Sequence, residues 1–199
     1  FDALHTNTLW ISPITQNPED AWGLWNQGGP VSTFSGYHGY WPVSNIKPDH
    51  RLASPEELHL FLDDAHQKEQ NVLLDYVANH VHELHPVYQK HPNWATNKYT
   101  ADGRLNTQLW DEERLTTWFD TFMPTLELRN DTVAELMSDS ALVWITEYDY
   151  DGFRHDATKH IPMNFTRLVT AKIRAASDDH VYQIGETYGS DELIASYVG

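Results

Sequence analysis

At 199 residues, with 40% hydrophobic and 13% aromatic side chains, the chain can bury one sizeable core and is not a disordered polymer. A formal charge of −16 argues against nucleic-acid or anionic-membrane partners, which need basic patches, and the absence of cysteine excludes disulfides and thiolate chemistry. No window approaches the ~18 continuous apolar residues of a membrane span.

The opening Phe1-Asp-Ala-Leu4 reads as mid-element, so the chain is expected to start inside a fold, and the lack of a visible signal peptide says little. Thr8-Leu-Trp-Ile-Ser12 predicts a buried strand closed by Pro13. Residues 14–53, rich in Gly, Pro, Trp and Tyr and without a periodic apolar face, predict one long functional loop. Ser54-Pro-Glu-Glu57 carries a helix start, a capping box with proline at the first turn, and Leu58, Phe61, Leu62 and Ala65 form its predicted buried stripe. Asn71-Val-Leu-Leu-Asp75 is the next strand. Residues 81–123 are polar, irregular and too long for a tight connection, which predicts a small inserted subdomain. A helix capped by Asn130 runs to about residue 147, with Val133, Leu136, Met137 and Trp144 inward. A buried strand at 152–155, a helix at about 164–176, a buried strand at 181–185 and a helix from 191 follow.

Four strands alternating with helices predict an α/β fold with a parallel sheet. A doubly wound sheet fits the alternation equally well. A (β/α)8 barrel is favoured because acids fall at several successive strand tips, Asp75, Asp156 and Glu186, and not at one switch point. Arg154 and Asp156, two residues apart on one strand, share a face. The guanidinium is expected to lower the pKa of Asp156 and orient it as a nucleophile, although a buried structural ion pair is the competing reading. Glu186 is expected to be held protonated by apolar walls and neighbouring carboxylates, ready to donate to a leaving oxygen; as a strand-end residue it could equally cap a turn. Gly185 before it allows close approach of a ligand or backbone. Asn79-His80 and Lys159-His160 each follow a strand-tip acid and could hydrogen-bond sugar hydroxyls. The 8 Trp and 10 Tyr serve either as large core residues or as stacking platforms for pyranose rings.

Asp75-Tyr-Val-Ala-Asn-His80, Gly152-Phe-Arg-His-Asp-Ala-Thr-Lys-His160 and Gly185-Glu186 resemble the first three signature regions of the α-amylase family, glycoside hydrolase family 13. Gly36-Tyr-His-Gly-Tyr-Trp41 looks like its aromatic loop, and Met123-Pro-Thr-Leu126 like a degenerate fifth region. The likeness runs over nearly the whole chain, and the motifs are specific together where each alone is weak. It implies part of a TIM barrel, about strands two to five, in residues 1–80 and 124–199, with 81–123 as the inserted B domain. It implies Asp156 as nucleophile, Glu186 as general acid/base and Arg154 as the residue holding Asp156. His80 and Tyr40 are implied at the cleaved-side sugar and Lys159 and His160 at the leaving side, with His38, Trp41 and Asp75 as further substrate-binding residues. The Lys-His pair is typical of members acting on α-1,4 bonds in starch-like glucans. Asn79 and the His160 carbonyl are implied ligands of a structural Ca²⁺, weakened here because Thr125 stands where members carry an Asp. No organic cofactor is implied. The family's third catalytic Asp follows a seventh strand that the chain does not reach, so these residues alone are expected to be inactive. A polymeric substrate favours an extracytoplasmic site.

Three further readings stay open. A metal-dependent hydrolase could use His80, His82, His155 and His160. A non-catalytic amylase-like binding domain would share the fold. A transglycosylase or oligosaccharide-specific α-glucosidase would share the catalytic residues. Trp22, Trp25 and Trp41 favour an extended glucan site.

Overall fold

The computed structural model describes residues 5–25, 32–177 and 181–198, so the reading of Phe1–Leu4 lies outside the described residues. β1 (Thr8–Ile11) leads into the predicted long loop, which in fact carries an antiparallel hairpin of β2 (Trp22–Trp25) and β3 (Ser32–Phe34). With only four and three residues, these strands are too short to show the alternation that would reveal them in sequence.

α1 (Pro55–Gln67) starts where predicted. Ser54 Oγ accepts from the Glu57 amide at 3.2 Å, and the Glu57 carboxylate accepts from the Ser54 amide at 2.8 Å. Such a reciprocal cap contributes about 1 kcal/mol. Leu58, Leu62 and Ala65 are buried, whereas Phe61 is 40% exposed and leaves the predicted stripe. β4 (Asn71–Tyr76) follows, then the short α2 (Pro86–Lys90). α3 (Asp131–Thr146) is capped by Asn130, whose side-chain oxygen accepts from the Thr132 and Val133 amides. Val133, Met137 and Trp144 face inward as expected, but Leu136 is 38% exposed. β5 (Gly152–His155), α4 (Met163–Ala176), β6 (Tyr182–Gly185) and α5 (Asp191–Ser196) complete the order.

The sheet is parallel in the order β1-β4-β5-β6. Its registers pair Trp10 with Leu73, Asp75 with Arg154, and Arg154 with Ile184. Alternation sends Val72, Leu74, Tyr76 and Phe153 into one apolar core with Leu62 of α1, Met137 and Trp144 of α3, and Phe165 and Val169 of α4. The Trp144 indole donates to the Asn45 carbonyl at 2.7 Å, tying α3 to the long loop. The opposite face carries Trp10, Asp75, Arg154 and Ile184. It is open at both margins, with Trp10 60% and Ile184 55% exposed. The expectation of buried strands therefore holds for β4 and β5 and fails for β1 and β6, which are the margins of the sheet.

Gly152 is required where β5 meets β6, because a Cβ there would stand 2.0 Å from the Tyr182 carbonyl oxygen. The segment between β4 and α3 returns to its origin through bridges pairing His80 with Thr125 and Ala95 with Leu126. It folds around Trp118, buried at 3% exposure, whose indole donates to the Thr96 carbonyl.

Candidate active site

The C-terminal ends of β4, β5 and β6 bring three acids onto one cation. Nη1 of Arg154 lies 2.7 Å from Asp75 and 2.9 Å from Asp156, and Nη2 lies 2.9 Å from Glu186. The i, i+2 spacing of Arg154 and Asp156 delivers the predicted shared face. Beyond Asp156 the backbone turns sharply through Ala157 in the left-handed region, φ 51°. This turn aims the Ala157 amide at Glu186 Oε2, 2.9 Å away, so the acid is fixed by one charged and one backbone donor. Gly185 does permit a close approach, but of a side chain and not of the ligand or backbone expected. The neighbour is the Thr158 side chain, which a Cβ at 185 would meet at 3.0 Å.

Burial dominates the electrostatics. It pushes Asp156 up to about 7 despite the attached guanidinium, with Glu186 and Asp75 adding in the same direction. This corrects the expectation that Arg154 would lower it: desolvation of a side chain only 11% exposed outweighs the attraction. Asp75 is likewise raised, chiefly by burial. Glu186 does not sit behind apolar walls. Its side chain is 39% exposed and ion-paired.

The sequence-predicted binding residues divide. Tyr40, Trp41, His80 and His160 line a cleft of about 440 Å³ together with Asp156 and Glu186. Asp75 does not face it. At 1% exposure it accepts from Arg154, from the Tyr40 hydroxyl at 2.9 Å and from the Trp10 indole at 3.2 Å, and so anchors the layer beneath. His38 also stays out of the cleft; its Nδ1 accepts from the Tyr40 amide at 3.1 Å and holds the aromatic loop. Gly39, φ 88°, lets that loop cross Pro13, whose carbonyl oxygen would meet a Cβ at 2.1 Å. His80 lines the cleft with its ring stacked on Phe119. Its Nε2 is committed as a donor to the Tyr40 carbonyl at 3.1 Å, and burial pulls its pKa down to about 4. Lys159 is 4% exposed and ion-paired with Asp111, so it does not present a free ammonium to a sugar. His160 donates from Nδ1 to the Arg114 carbonyl at 2.7 Å. Trp22 backs the wall against His82 and Phe122 without lining the cleft. The Trp25 side chain lies outside the described residues.

Sequence reasoning missed Trp10, Trp110, Asp111, Arg114, Phe119 and Tyr188. Trp10 lies with its ring 5.4 Å from the Arg154 guanidinium, and Trp110, Phe119 and Tyr188 line the cleft. The aromatic content of the inserted segment was the available signal.

His155 points to the other face, bonded to Gln183 and driven down to about 4 by burial. Among the described residues, no group of three or more His, Cys, Asp or Glu side chains is placed to hold a metal, which removes the geometric basis for a metal-dependent hydrolase. The implied calcium ligands offer little. Asn79 Oδ1 is buried and unpartnered, but Thr125 supplies no charge, and its hydroxyl is spent donating to the Thr117 carbonyl. One orphan amide oxygen and a backbone carbonyl do not match the 6–8 oxygens, carboxylates among them, that a hard dication takes.

The model of the α-amylase catalytic domain matches residues 1–197. The chain is 27% identical to α-amylase 3 of Dictyoglomus thermophilum over 99% of its own length and 39% of that protein's. It is 26% identical to the intracellular maltogenic amylase of Bacillus subtilis over 96% of its length and 30% of that protein's. In structure it is similar to the acarbose complex of the α-amylase from Geobacillus thermoleovorans, at TM-score 0.77 and 26% identity over 96% of this chain and 39% of that one. The chain thus spans well under half of each relative.

Proposed function

The chain belongs to the α-amylase catalytic-domain family, and from that premise we propose that it supplies the nucleophile and acid/base of a retaining glycosidase acting on α-1,4-linked glucans. The observation that carries the proposal is the single guanidinium shared by Asp156 and Glu186, each 2.9 Å from one of its nitrogens. Carboxyl groups bridged this closely suit the roughly 5–5.5 Å spacing of retaining enzymes better than the ~6.5–9.5 Å that leaves room for water in inverting ones.

Asp156, ionised and oriented by Arg154, attacks the anomeric carbon while Glu186 passes its proton to the leaving oxygen. The glucosyl–Asp156 ester is then opened by water, with Glu186 taking the proton back, and two inversions give net retention. Tyr40, Trp41 and Phe119 supply flat apolar faces for the pyranose, and the bond from the Tyr40 hydroxyl to Asp75 fixes its ring over the site. The four strands of the parallel sheet carry the nucleophile and acid/base only, so the complete reaction is proposed for the full-length protein, and these residues by themselves are proposed to be inactive. A polymeric glucan would place the reaction outside the cytoplasm. No helix among the described residues is long and apolar enough to cross a membrane.

Incubating the full-length protein with maltoheptaose and following new reducing ends by NMR tests this reading. α-Anomeric products at early times are expected. β-Anomers would overturn retention, longer oligosaccharides would turn the assignment to transglycosylation, and bound but uncleaved glucan would turn it to a binding domain. The donor set around Asn79 leads to a second expectation: a chelator leaves the thermal midpoint within about 1 °C of the calcium-supplemented value, well below the several degrees that a lost ligand worth 1 kcal/mol or more would cost. A large drop on chelation would restore the calcium site.

A further inference from the structure

The cation expected to meet sugar on the leaving side is already occupied. Lys159 Nζ stands 2.5 Å from Asp111 Oδ1 of the inserted segment, the lysine side chain 5% exposed and the aspartate 90%. The Tyr188 ring lies 4.6 Å from the same ammonium. Around this pair the inserted segment is docked by its backbone and by rings. The Arg114 guanidinium donates to the Lys159 carbonyl, His160 donates to the Arg114 carbonyl, and Trp110 stands edge-on to His160 at 5.6 Å. Trp110, His160 and Tyr188 line the cleft, and the pair, itself outside that lining, stands directly behind Tyr188 and beside His160.

We infer that Asp111 is a displaceable latch on Lys159 that sets chain-length selectivity on the leaving side of the cleft. This rests on the α-glucan reading above. An ammonium prefers a carboxylate to a neutral hydroxyl, so Lys159 is withheld from sugar while the pair is closed. The lysine half is buried but the aspartate half is 90% exposed, so water and salt reach and screen the carboxylate, and a glucan long enough to offer several hydroxyls can displace it. A short leaving group that stops before Lys159 never meets the latch. Arg114 grips the lysine backbone independently of Asp111, so removing the carboxylate frees the ammonium without releasing the turn that carries it. Asp111 is thus a positioning residue acting through Lys159.

The test compares wild type, Asp111→Asn and Asp111→Ala in the full-length protein, measuring kcat/KM for maltoheptaose divided by that for maltotriose. The ratio is expected to rise roughly threefold or more in both variants, the scale of one exposed ion pair, and through KM, not kcat. About 0.5 M NaCl should raise the wild-type ratio toward that of the variants and leave theirs in place. A structural brace alone would not produce that salt convergence. Equal ratios in all three proteins, or an equal salt response, would overturn the latch while wild-type hydrolysis still upheld the glycosidase reading. If wild type turns over neither sugar, the same ratio is read from calorimetric affinities. A wild type that binds neither sugar overturns the latch and the glucan reading together.

Discussion

Asp156→Asn is expected to abolish turnover, by roughly 10³-fold or more, in a protein that folds as wild type does. An amide oxygen keeps the shape and can still accept from Arg154 Nη1, now 2.9 Å away, but it cannot form the glucosyl ester. A stability signature separates this from general damage. Burial raises Asp156 from 3.8 to about 7 in the folded protein. A carboxyl raised on folding contributes stability that is fully present below its unfolded pKa, near 4, and is lost as pH climbs through about 7. Asparagine has no such charge to desolvate. Urea denaturation at pH 7 should therefore show the variant as stable as wild type or more so, by up to a few kcal/mol at about 1.4 kcal/mol per tenfold change in proton affinity, with the gap closing toward pH 4. The same burial places the acidic limb of wild-type kcat/KM above the ordinary aspartate range, because the nucleophile must be ionised. A folded Asp156→Asn protein with turnover within tenfold of wild type would remove Asp156 from the chemistry.

The strands that matter most were the most legible. Val72–Tyr76 and Gly152–His155 are uninterrupted buried runs, and the acids at their C-terminal ends fall where their spacing placed them. Local signals also carried α1 and α3, since a cap needs only neighbours in sequence. Phe61 and Leu136 misled because a helical stripe is wider than the groove it fills. What sequence could not give is which partner a polar group takes. Asp75, His38 and Lys159 carry chemistry suited to sugar, yet each meets protein: Arg154 at 79 residues' separation, the Tyr40 amide, and Asp111 at 48. The first and third of these pairings are long-range and decided by where the loops land, and the second, only two residues apart, is set by the local turn of the aromatic loop. Burial, invisible in a motif, also reversed the expected sign at Asp156, where it outweighs the adjacent arginine.

Arg154→Met is expected to be the most destabilising substitution in the site. The guanidinium is the shared counter-charge of Asp75, Asp156 and Glu186, the first 1% and the second 11% exposed at the side chain. Removing one partner of a buried pair costs about 3–5 kcal/mol because the other charge stays buried and alone. Against a typical total stability of about 5–15 kcal/mol, that can unfold the protein at neutral pH. Arg154→Lys should recover little, since one ammonium cannot span the fork that reaches three carboxyls. The loss should be conditional. Orphaned carboxyls can take protons, so the deficit of Arg154→Met should shrink as pH falls from 7 toward 4. Arg154→Met combined with Asp156→Asn should be more stable at pH 7 than Arg154→Met alone, because one charge fewer is left to strand. Denaturation midpoints across that pH range decide it. If Arg154→Met matches wild type at pH 7, the acids are neutral in the folded protein, and the guanidinium orients them without serving as their counter-charge.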